Sequence, residues 1–423
     1  LDPSEATTIS GVTANGTVTG SNQDVGGLIG HADGSGGRIT ITDAHADGDV
    51  TEASGNNNDH VGGLIGELTG AGDVTDVSAT GTVRANGSEV GALVGRLDHA
   101  NNGNYELKNA SATGTVTTGG NYVGGLVGRH RYAKAVTNAS ATGDVTTGGN
   151  QAGGLFGYSD SAEMNNTSAT GAVTTDGNQA GGLIGNFEGG TIADSTATGD
   201  VKSSSNGYVG GLVGYYDDNS GADSVIKNVS ATGDVTGSGR YVGGLIGQSQ
   251  TADNDGTTIT EAHAASDVTE ASGQNKNEVG GLIGVIHSAG DITDVSATGA
   301  VRANGSEVGG LVGELDHKRD GYYNREVYSI KNASATGNVT TDGKYVGGLV
   351  GHHRFAKAVT NASATGDVTT DGNQVGGLIG QFRRSVLRAS TATGDDSGGS
   401  NGSVGGLGGN SRDRESRHDT RDR

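Results

Sequence analysis

The chain has no cysteine and no tryptophan, and it has only one proline and four phenylalanines among 423 residues. Without cysteine, neither a disulfide nor a thiolate metal site contributes to the fold. Hydrophobic residues make up 31% of the chain, and no apolar run reaches the roughly 18 residues of a membrane-spanning helix. The sequence therefore predicts no membrane insertion within this segment, and it lacks the large side chains that fill an ordinary globular core.

Glycine and acidic residues are abundant instead. There are 82 glycines, and 48 Asp and Glu stand against 27 Lys and Arg, for a net charge of -21. Such a surface repels nucleic acid, so no nucleic acid is expected as a partner. It favours solubility at high salt, which predicts a halophilic source, and it makes divalent cations candidate ligands.

A glycine-rich hexapeptide recurs thirteen times, most often at a spacing of 29 residues. The copies start at Val25, Val61, Val90, Val123, Ala152, Ala180, Val209, Val242, Val279, Val308, Val346, Val375 and Val404. Disordered chains have no reason to place Val and Leu so regularly, whereas stacked repeats need only a thin core. Insertions of four to nine residues between some copies are expected as loops on the outside of the stack.

A second element, Ser-Ala-Thr-Gly-Asp-Val, lies between the hexapeptides, for example at 140–145. From Asn138 to Thr146, small or apolar residues alternate with polar ones, which predicts a strand with a small-residue inner face. Glycines in the turns that follow, such as Gly87 and Gly177, are expected to supply positive φ values.

These patterns predict an all-β fold, a parallel β-solenoid (β-helix) of about thirteen coils of about 29 residues with two or three short strands per coil. A larger duplication is visible because Asp73–Thr80 recurs as Asp291–Thr298 with one change. The predicted organisation is a partial repeat or cap at 1–24, a first seven-coil block at 25–241, a second block at 242–409 that duplicates the first six coils, and a disordered charged tail at 410–423.

The hexapeptide together with Asn-Ala-Ser-Ala-Thr-Gly-Asp-Val resembles the GLUG repeat of secreted and surface-attached bacterial and archaeal proteins, over about residues 9–409. The resemblance implies an extracellular or cell-surface β-helical stalk or adhesion module. It implies no catalytic residues.

Histidines in the duplicated insertions are the first candidate ligand-binding residues. They are His99, His130, His317 and His353. With Arg131 or Arg354 they predict an acid/base cluster along one edge, as in a polysaccharide-degrading β-helix. The alternative is that these loops were merely copied with the rest of the block. If His99, His130 and Arg131 lie on different faces, the enzymatic hypothesis fails.

Closely spaced oxygen ligands suggest calcium as the one candidate cofactor. They are Asp217, Asp218, Asp253 and Asp255. Neither the nonapeptide of calcium-binding β-rolls nor the EF-hand spacing recurs. Solvated acidic loops are therefore the alternative.

An outward row of hydroxyls, including Thr113, Thr115 and Thr142, has the strand spacing that could order water or match sugar hydroxyls. Ice binding and glycan binding follow as hypotheses. Threonine is also a favourable exposed strand residue, and Asp144 interrupts the row.

Glycosylation sequons recur on the outward side of the same strands. They include Asn109, Asn138, Asn228, Asn332 and Asn361. A repeat rich in Asn, Ser and Thr also produces such sequons by composition alone.

The sequence thus favours an extracellular structural or adhesive stalk, or a filament subunit, whose loops contact glycans, cell-envelope components or other copies of itself. End-to-end self-association is expected where a solenoid exposes unpaired strand edges. A polysaccharide-degrading enzyme and an ice- or water-ordering solenoid remain the alternatives.

Overall fold

The computed structural model describes most of the chain. The described residues are 5–21, 23–53, 59–100, 104–161, 163–218, 224–251, 256–271, 277–287, 289–316, 329–354, 357–383, 385–399 and 402–411. Within these ranges all regular structure is β, and no helix is long and apolar enough to cross a bilayer. The chain forms two compact units, Leu1–Ser204 with Leu212–Gly214, and Ser205–Gly211 with Tyr215–Arg423.

Each coil contributes four strand segments in a fixed order. We name them the long strand, which contains the Ser-Ala of the second element, the Val strand, which starts at its valine, the lead strand, which enters the hexapeptide, and the exit strand, which leaves it. The long strands are Thr7–Ala14, Ile39–Ala46, the second half of Ile65–Ala79, Glu106–Ala112, Ala135–Ala141, Glu163–Ala169, Thr191–Ala197, Val225–Ala231, Thr257–Ala264, Ala289–Ala297, Ser329–Ala335, Ala358–Ala364, and the pair Val386–Arg388 and Thr391–Ala392. The Val strands are Val18–Gly20, Val50–Glu52, Val83–Arg84, Val116–Thr118, Val145–Thr147, Val173–Thr175, Val201–Ser203, Val235–Gly237, Val268–Glu270, Val301–Ala303, Val339–Thr341, Val368–Thr370 and Asp396–Ser397.

The hexapeptide supplies the other two segments, which are separated by its Gly-Leu bend. The lead strands are Asp24–Gly26, His60–Gly62, Val90–Gly91, Val123–Gly124, Ala152–Gly153, Gln179–Gly181, Tyr208–Gly210, Tyr241–Gly243, Glu278–Gly280, Glu307–Gly309, Tyr345–Gly347, Gln374–Gly376 and Ser403–Gly405. The exit strands are Ile29–Asp33, the first half of Ile65–Ala79, Val94–His99, Val127–Arg131, Phe156–Ser159, Ile184–Phe187, Val213–Asp218, Ile246–Thr251, Ile283–His287, Val312–Asp316, Val350–Arg354, Ile379–Arg383 and Gly408–Ser411.

Strands pair in parallel with the same strand of the next coil and in the same register. In the first unit Val116 pairs with Val145, and in the second Val339 pairs with Val368. The predicted parallel β-solenoid is therefore confirmed, with two corrections. A coil has four segments rather than two or three, and although each segment occurs thirteen times in the described residues, the stack makes about 11 turns.

The inner face is built from small and β-branched side chains. Ala139, Ala141 and Val145 are buried, while Asn138 and Thr142 on the other side of the strand are exposed, as the alternation predicts. Val, Leu and Ile of the hexapeptides complete a thin core. Each coil buries too little apolar surface to be stable alone, so the stacking of neighbouring coils holds the fold together.

Close approach of the backbone explains the paired glycines of the hexapeptide. A Cβ built on Gly125 would overlap the carbonyl oxygen of Gly154 in the next coil and would lie 3.2 Å from Ala141 Cβ. Glycine fits this position in most coils and alanine, as Ala92, in one, and only a small residue fits opposite it.

The left-handed backbone conformation occurs at positions other than those that the sequence predicts. Gly87 and Gly177 do not have φ in that region, so the expectation of positive φ at these turn glycines is wrong. Instead, one residue in the middle of the long strand adopts it, for example Asn138 at φ 55° and Asp294 at φ 56°. Asn and Asp tolerate this conformation best among residues with a side chain.

The predicted chain divisions fall partly outside the described residues. Within 1–24, Thr7–Ala14 and Val18–Gly20 pair with the next coil as an ordinary long strand and Val strand. The predicted disordered tail lies outside the described residues from 412 onward. The blocks 25–241 and 242–409 stay a prediction about duplication.

Candidate functional site

His130 and His353 are core residues. Their register partners in the preceding coils are Leu97 and Leu315, so each histidine occupies an inward position that leucine fills elsewhere. His130 is fully buried, stacks on Phe156 with ring centroids 5.2 Å apart, and has Nδ1 3.2 Å from Ser159 Oγ. Burial lowers its pKa well below the usual value, so it stays neutral. The prediction that His130 and His353 bind a surface ligand is corrected on this ground.

His99 and Arg131 do not complete an accessible catalytic cluster. His99 is 2% exposed and donates from Nδ1 to the carbonyl oxygen of Gly72 at 2.9 Å. Burial lowers its pKa to about 4. Arg131 is partly exposed and donates from Nε to Asp98 Oδ1 at 2.8 Å. His99 borders a cavity of ≈ 640 Å³, and neither His130 nor Arg131 is among the residues that line this cavity. His317 lies outside the described residues.

The hydroxyl row is exposed, as its alternation predicts. Thr113, Thr115 and Thr142 all face solvent. The acidic residue in the row has a structural contact, because the Asp144 carboxylate accepts the backbone N–H of Ala172 in the next coil at 2.8 Å. Such carboxylates divide the hydroxyl surface into short patches. Ice binding and glycan binding on this row stay predictions.

The sequon asparagines form a ladder along the long strands. Asn138 Nδ2 donates to Asn109 Oδ1 at 3.0 Å, and Asn138 Oδ1 accepts from Asn166 Nδ2 at 2.7 Å. In the second unit Asn361 donates to Asn332 Oδ1 at 2.8 Å. These residues, and Asn228, have φ near 50°. The repeated asparagine is therefore explained by backbone conformation and coil-to-coil bonding, and glycosylation stays a prediction.

The calcium prediction can be examined at one of its residues. Asp217 lies in an exit strand, and its Oδ2 accepts a hydrogen bond from Tyr215 Oη at 3.2 Å. Asp218 ends the same strand, and Asp253 and Asp255 lie outside the described residues. Calcium binding at these residues stays a prediction.

Sequence reasoning missed a stripe of charged and aromatic side chains, which we call the flanking stripe. It consists of the residue immediately before each hexapeptide and the residue immediately after it. In the first unit the pairs are Asp24 with His31, His60 with Glu67, Glu89 with Arg96, Tyr122 with Arg129, Gln151 with Tyr158 and Gln179 with Asn186. The two residues of a pair come close because the hexapeptide folds back at its Gly-Leu bend. The signal was the high frequency of charged and aromatic residues at these two positions.

Two histidines and two carboxylates converge at one part of the stripe in the first unit. His31 Nδ1 lies 2.8 Å from Glu67 Oε2 and 3.2 Å from Asp24 Oδ2. His60 Nδ1 lies 2.6 Å from Asp24 Oδ1 and 3.7 Å from Glu67 Oε2. They border a cavity of ≈ 410 Å³ that Glu89 also lines. Asp24, His31 and Glu67 are close enough to hold a metal ion.

Arginines balance the neighbouring carboxylates farther along the first unit. Arg96 Nη1 lies 3.1 Å from Glu67 Oε1, and Arg129 Nη1 lies 3.0 Å from Glu89 Oε1. The Arg129 guanidinium also lies 5.4 Å from the centre of the Tyr122 ring. This part of the stripe is an ion-pair network between coils.

The stripe of the second unit is rich in buried carboxyl groups. Glu278, Glu307 and Glu314 are nearly buried, and burial raises the pKa of all three, to about 8 for Glu278 and about 7 for Glu314. His352 Nδ1 lies 3.0 Å from Glu307 Oε1, and burial lowers the pKa of His352 to about 4. Arg354 Nη2 lies 3.2 Å from Glu314 Oε1. Glu307, Glu314 and His352 form a second group that could hold a metal ion.

Three tyrosines of the second unit form an aromatic cluster in the same stripe. Tyr208 stacks on Tyr241 with centroids 5.3 Å apart, and Tyr215 lies 4.8 Å from Tyr208. All three are partly exposed. The Arg240 guanidinium lies 4.9 Å from the Tyr241 ring. Partly exposed aromatic faces beside a donor group are suited to binding sugar rings.

Comparison with known proteins agrees with the repeat. The model of the GLUG motif matches residues 21–51, 57–84, 119–146, 176–202, 205–236 and 342–369. Halomucin of Haloquadratum walsbyi is 47% identical over 72 residues, which cover 16% of this chain and 1% of halomucin. No solved structure matches the chain. Each GLUG match includes a hexapeptide and the first two residues of the Val strand that follows the next long strand, so the chain carries GLUG repeats at these six segments.

Proposed function

We propose that this segment is an extracellular structural module, a spacer or stalk at a cell surface. The GLUG repeats and the similarity to halomucin support this location. The net charge of -21 also suits a protein exposed to high salt.

The observation that carries the proposal is the use of outward polar side chains as contacts between coils. Asn138 bonds to the asparagines of both adjacent coils, and Asp144 accepts the amide of Ala172. The buried Thr147 adds a contact inside the stack, because its Oγ1 donates to the carbonyl oxygen of Gly120 in the preceding coil at 2.6 Å. Repeated bonds of this kind stabilise the stack along its length, which is the property a spacer needs.

The polysaccharide-degrading alternative has less support. It depended on an accessible edge formed by His99, His130 and Arg131, and the two histidines are buried. A neutral core histidine cannot transfer a proton to a substrate that does not reach it.

Glycan contact is a second candidate function because of the tyrosine cluster. Tyr208, Tyr215 and Tyr241 offer partly exposed rings beside Arg240. A glycan array probed with the protein and with a Tyr208→Ala, Tyr215→Ala and Tyr241→Ala variant tests it. Tyr122→Ala is the matched control in the first unit. Equal binding by all three proteins would contradict a role for the cluster.

Surface location is tested on intact cells of the source organism. Protease treatment of intact cells should release fragments of this segment, whereas a cytosolic control protein should stay whole. Release only after lysis would contradict an extracellular role. End-to-end association is a separate proposal, for which sedimentation velocity at rising concentration should show a growing series of oligomers, and a single unchanging species would contradict it.

A further inference from the structure

We propose that the first unit binds one divalent transition-metal ion of the zinc class, held by Asp24, His31, His60 and Glu67. Two imidazole nitrogens and two carboxylates are a ligand set that Zn²⁺ accepts in tetrahedral geometry. The inference is independent of the extracellular role.

The distances between the donor atoms fit a single ion. In a tetrahedral site with bonds of about 2.0–2.1 Å, two ligand atoms lie about 3.3 Å apart. Asp24, His31 and Glu67 each offer one ligand atom within 4.8 Å of the other two. His60 Nδ1 lies 2.6 Å from Asp24 Oδ1, whereas His31 Nδ1 lies 3.2 Å from Asp24 Oδ2, so the two histidines meet different oxygens of that carboxylate. An ion held by the first three residues therefore takes His60 as its fourth ligand after the side chains shift. Both histidines direct Nδ1 to this point.

The groups behind the ligands are arranged as in metal sites. His60 Nε2 lies 3.4 Å from Glu89 Oε2, and Arg96 Nη1 holds the second oxygen of Glu67 at 3.1 Å. A carboxylate behind a ligating histidine fixes the ring and raises its basicity. Glu89 is 8% exposed, lines the cavity, and its Oε2 has no hydrogen bond within the described structure. With an ion on Nδ1, His60 carries its proton on Nε2 and can satisfy that oxygen.

Charge and access favour the same conclusion. Asp24 and Glu67 supply two carboxylates, which match the charge of one divalent cation, while Glu89 is paired with Arg129 at 3.0 Å and Arg96 bonds to Asp98 at 2.8 Å as well as to Glu67. The cavity of ≈ 410 Å³ opens to solvent at His31, whose side chain is 47% exposed. An ion can therefore enter without unfolding of a coil. Calcium fits less well, because it prefers six to eight oxygen ligands.

The duplicated block lacks this ligand set. The equivalent positions there hold Tyr241, Gln248, Glu278 and Val285. The fold thus does not require metal ligands at these positions. The second block also shows that a coil accommodates Gln at the position of His31 and Val at the position of Glu67, so His31→Gln and Glu67→Val are suitable test substitutions.

Isothermal titration of the full chain with ZnCl₂, with metal analysis after dialysis, tests the proposal. The double variant H31Q/E67V should lose one zinc equivalent, while its circular dichroism stays unchanged. Glu89→Gln should keep the equivalent but weaken binding by about 10–100-fold, the effect expected for a group behind a ligand. The matched control is His263→Gln, because His263 is exposed in the second unit and bonds only to Ser296 among the contacts seen, and it should bind zinc as the unmodified chain does.

Three outcomes would overturn the site. The unmodified chain could bind no zinc at micromolar concentration, the double variant could retain the same number of equivalents, or His263→Gln could lose as much as the double variant. Zinc bound by the Glu307, Glu314 and His352 group would appear as an equivalent that survives in H31Q/E67V. Parallel titrations with MnCl₂ and CaCl₂ check the metal class, and tighter calcium than zinc binding would contradict it.

Discussion

Replacing Asn138 by Ala and by Gly separates backbone strain from hydrogen bonding in the asparagine ladder. Asn138 sits at φ 55° in the middle of a long strand, and its side chain makes two ladder bonds. Both substitutions remove the bonds, each worth about 0.5–1.5 kcal/mol. Alanine must also hold the left-handed conformation at roughly 1–2 kcal/mol, which glycine does not.

The expected order of stability is therefore Asn, then Gly, then Ala, with Ala below Gly by about 1 kcal/mol. In an ordinary strand glycine is the more destabilising residue by roughly 0.5–1 kcal/mol. The reversed order is thus specific to the conformation seen here. Gly11 occupies the equivalent position of the first coil at φ 64°, which shows that glycine is accommodated.

Hydrogen–deuterium exchange of peptides covering 135–147 provides the assay, because local opening can be measured without assuming that the whole repeat array unfolds in one step. A difference of about 1 kcal/mol corresponds to roughly fivefold faster exchange in the Ala variant. Equal protection of the two variants, or better protection with Ala, would refute the assignment of strain to this residue.

Three further predictions follow from the core and the buried acids. Gly124→Ala should destabilise the first unit by at least about 2 kcal/mol because its Cβ would overlap the carbonyl oxygens of Val127 and Leu155, whereas Gly119→Ala, where nothing lies within 4 Å, should change stability by less than about 1 kcal/mol in urea unfolding. In the folded state the pKa of Glu278 is about 8 and that of Glu314 is about 7, both above the ordinary 4.5. The folded second unit therefore binds more protons than the unfolded chain and should lose stability as pH rises from about 4.5 to 8. A melting temperature that rises or stays constant over this pH range would be inconsistent with buried neutral carboxyls. His130→Leu should leave stability within about 1 kcal/mol or raise it, because an imidazole with an unbonded Nε2 is removed from the core, and a loss of several kcal/mol on melting would show that the histidine has a role beyond packing.

The sequence predicted the features that depend on periodicity. Alternation around Ala139, Ala141 and Val145 identified the inner face, because a residue's side in a strand follows from counting by two. The hexapeptide spacing identified the parallel stack, because equal repeats place equal residues in register.

Features that depend on close contact between coils were missed. Positive φ was expected at turn glycines such as Gly177, but it occurs at Asn138. The long strand changes its alternation there, and an asparagine at this position hydrogen-bonds to the asparagine of the adjacent coil. His130 was predicted as a loop residue, but it lies within the exit strand Val127–Arg131. Aligning it with Leu97 and Leu315 in other copies would have identified it as an inward residue.

The candidate metal site was missed for a related reason. Asp24 and His31 belong to one coil and His60 and Glu67 to the next, which is 36 residues away. A search for ligands at short spacing therefore does not find them. Only the stacking of coils brings the four side chains together.

Cysteine cross-linking tests the stacked register most directly. Because the chain has no native cysteine, only the introduced cysteines can form a disulfide. Thr117 pairs with Thr146, and Thr146 pairs with Thr174, all three exposed. Adjacent strands place Cα atoms about 4.8 Å apart, within disulfide range, whereas two strands apart the distance is about 9.6 Å. Under mild oxidation, Thr117→Cys with Thr146→Cys should form an intramolecular disulfide nearly completely, and Thr117→Cys with Thr174→Cys should form none. Failure of the first pair, or equal cross-linking of both, would contradict a solenoid whose neighbouring coils are one sequence repeat apart.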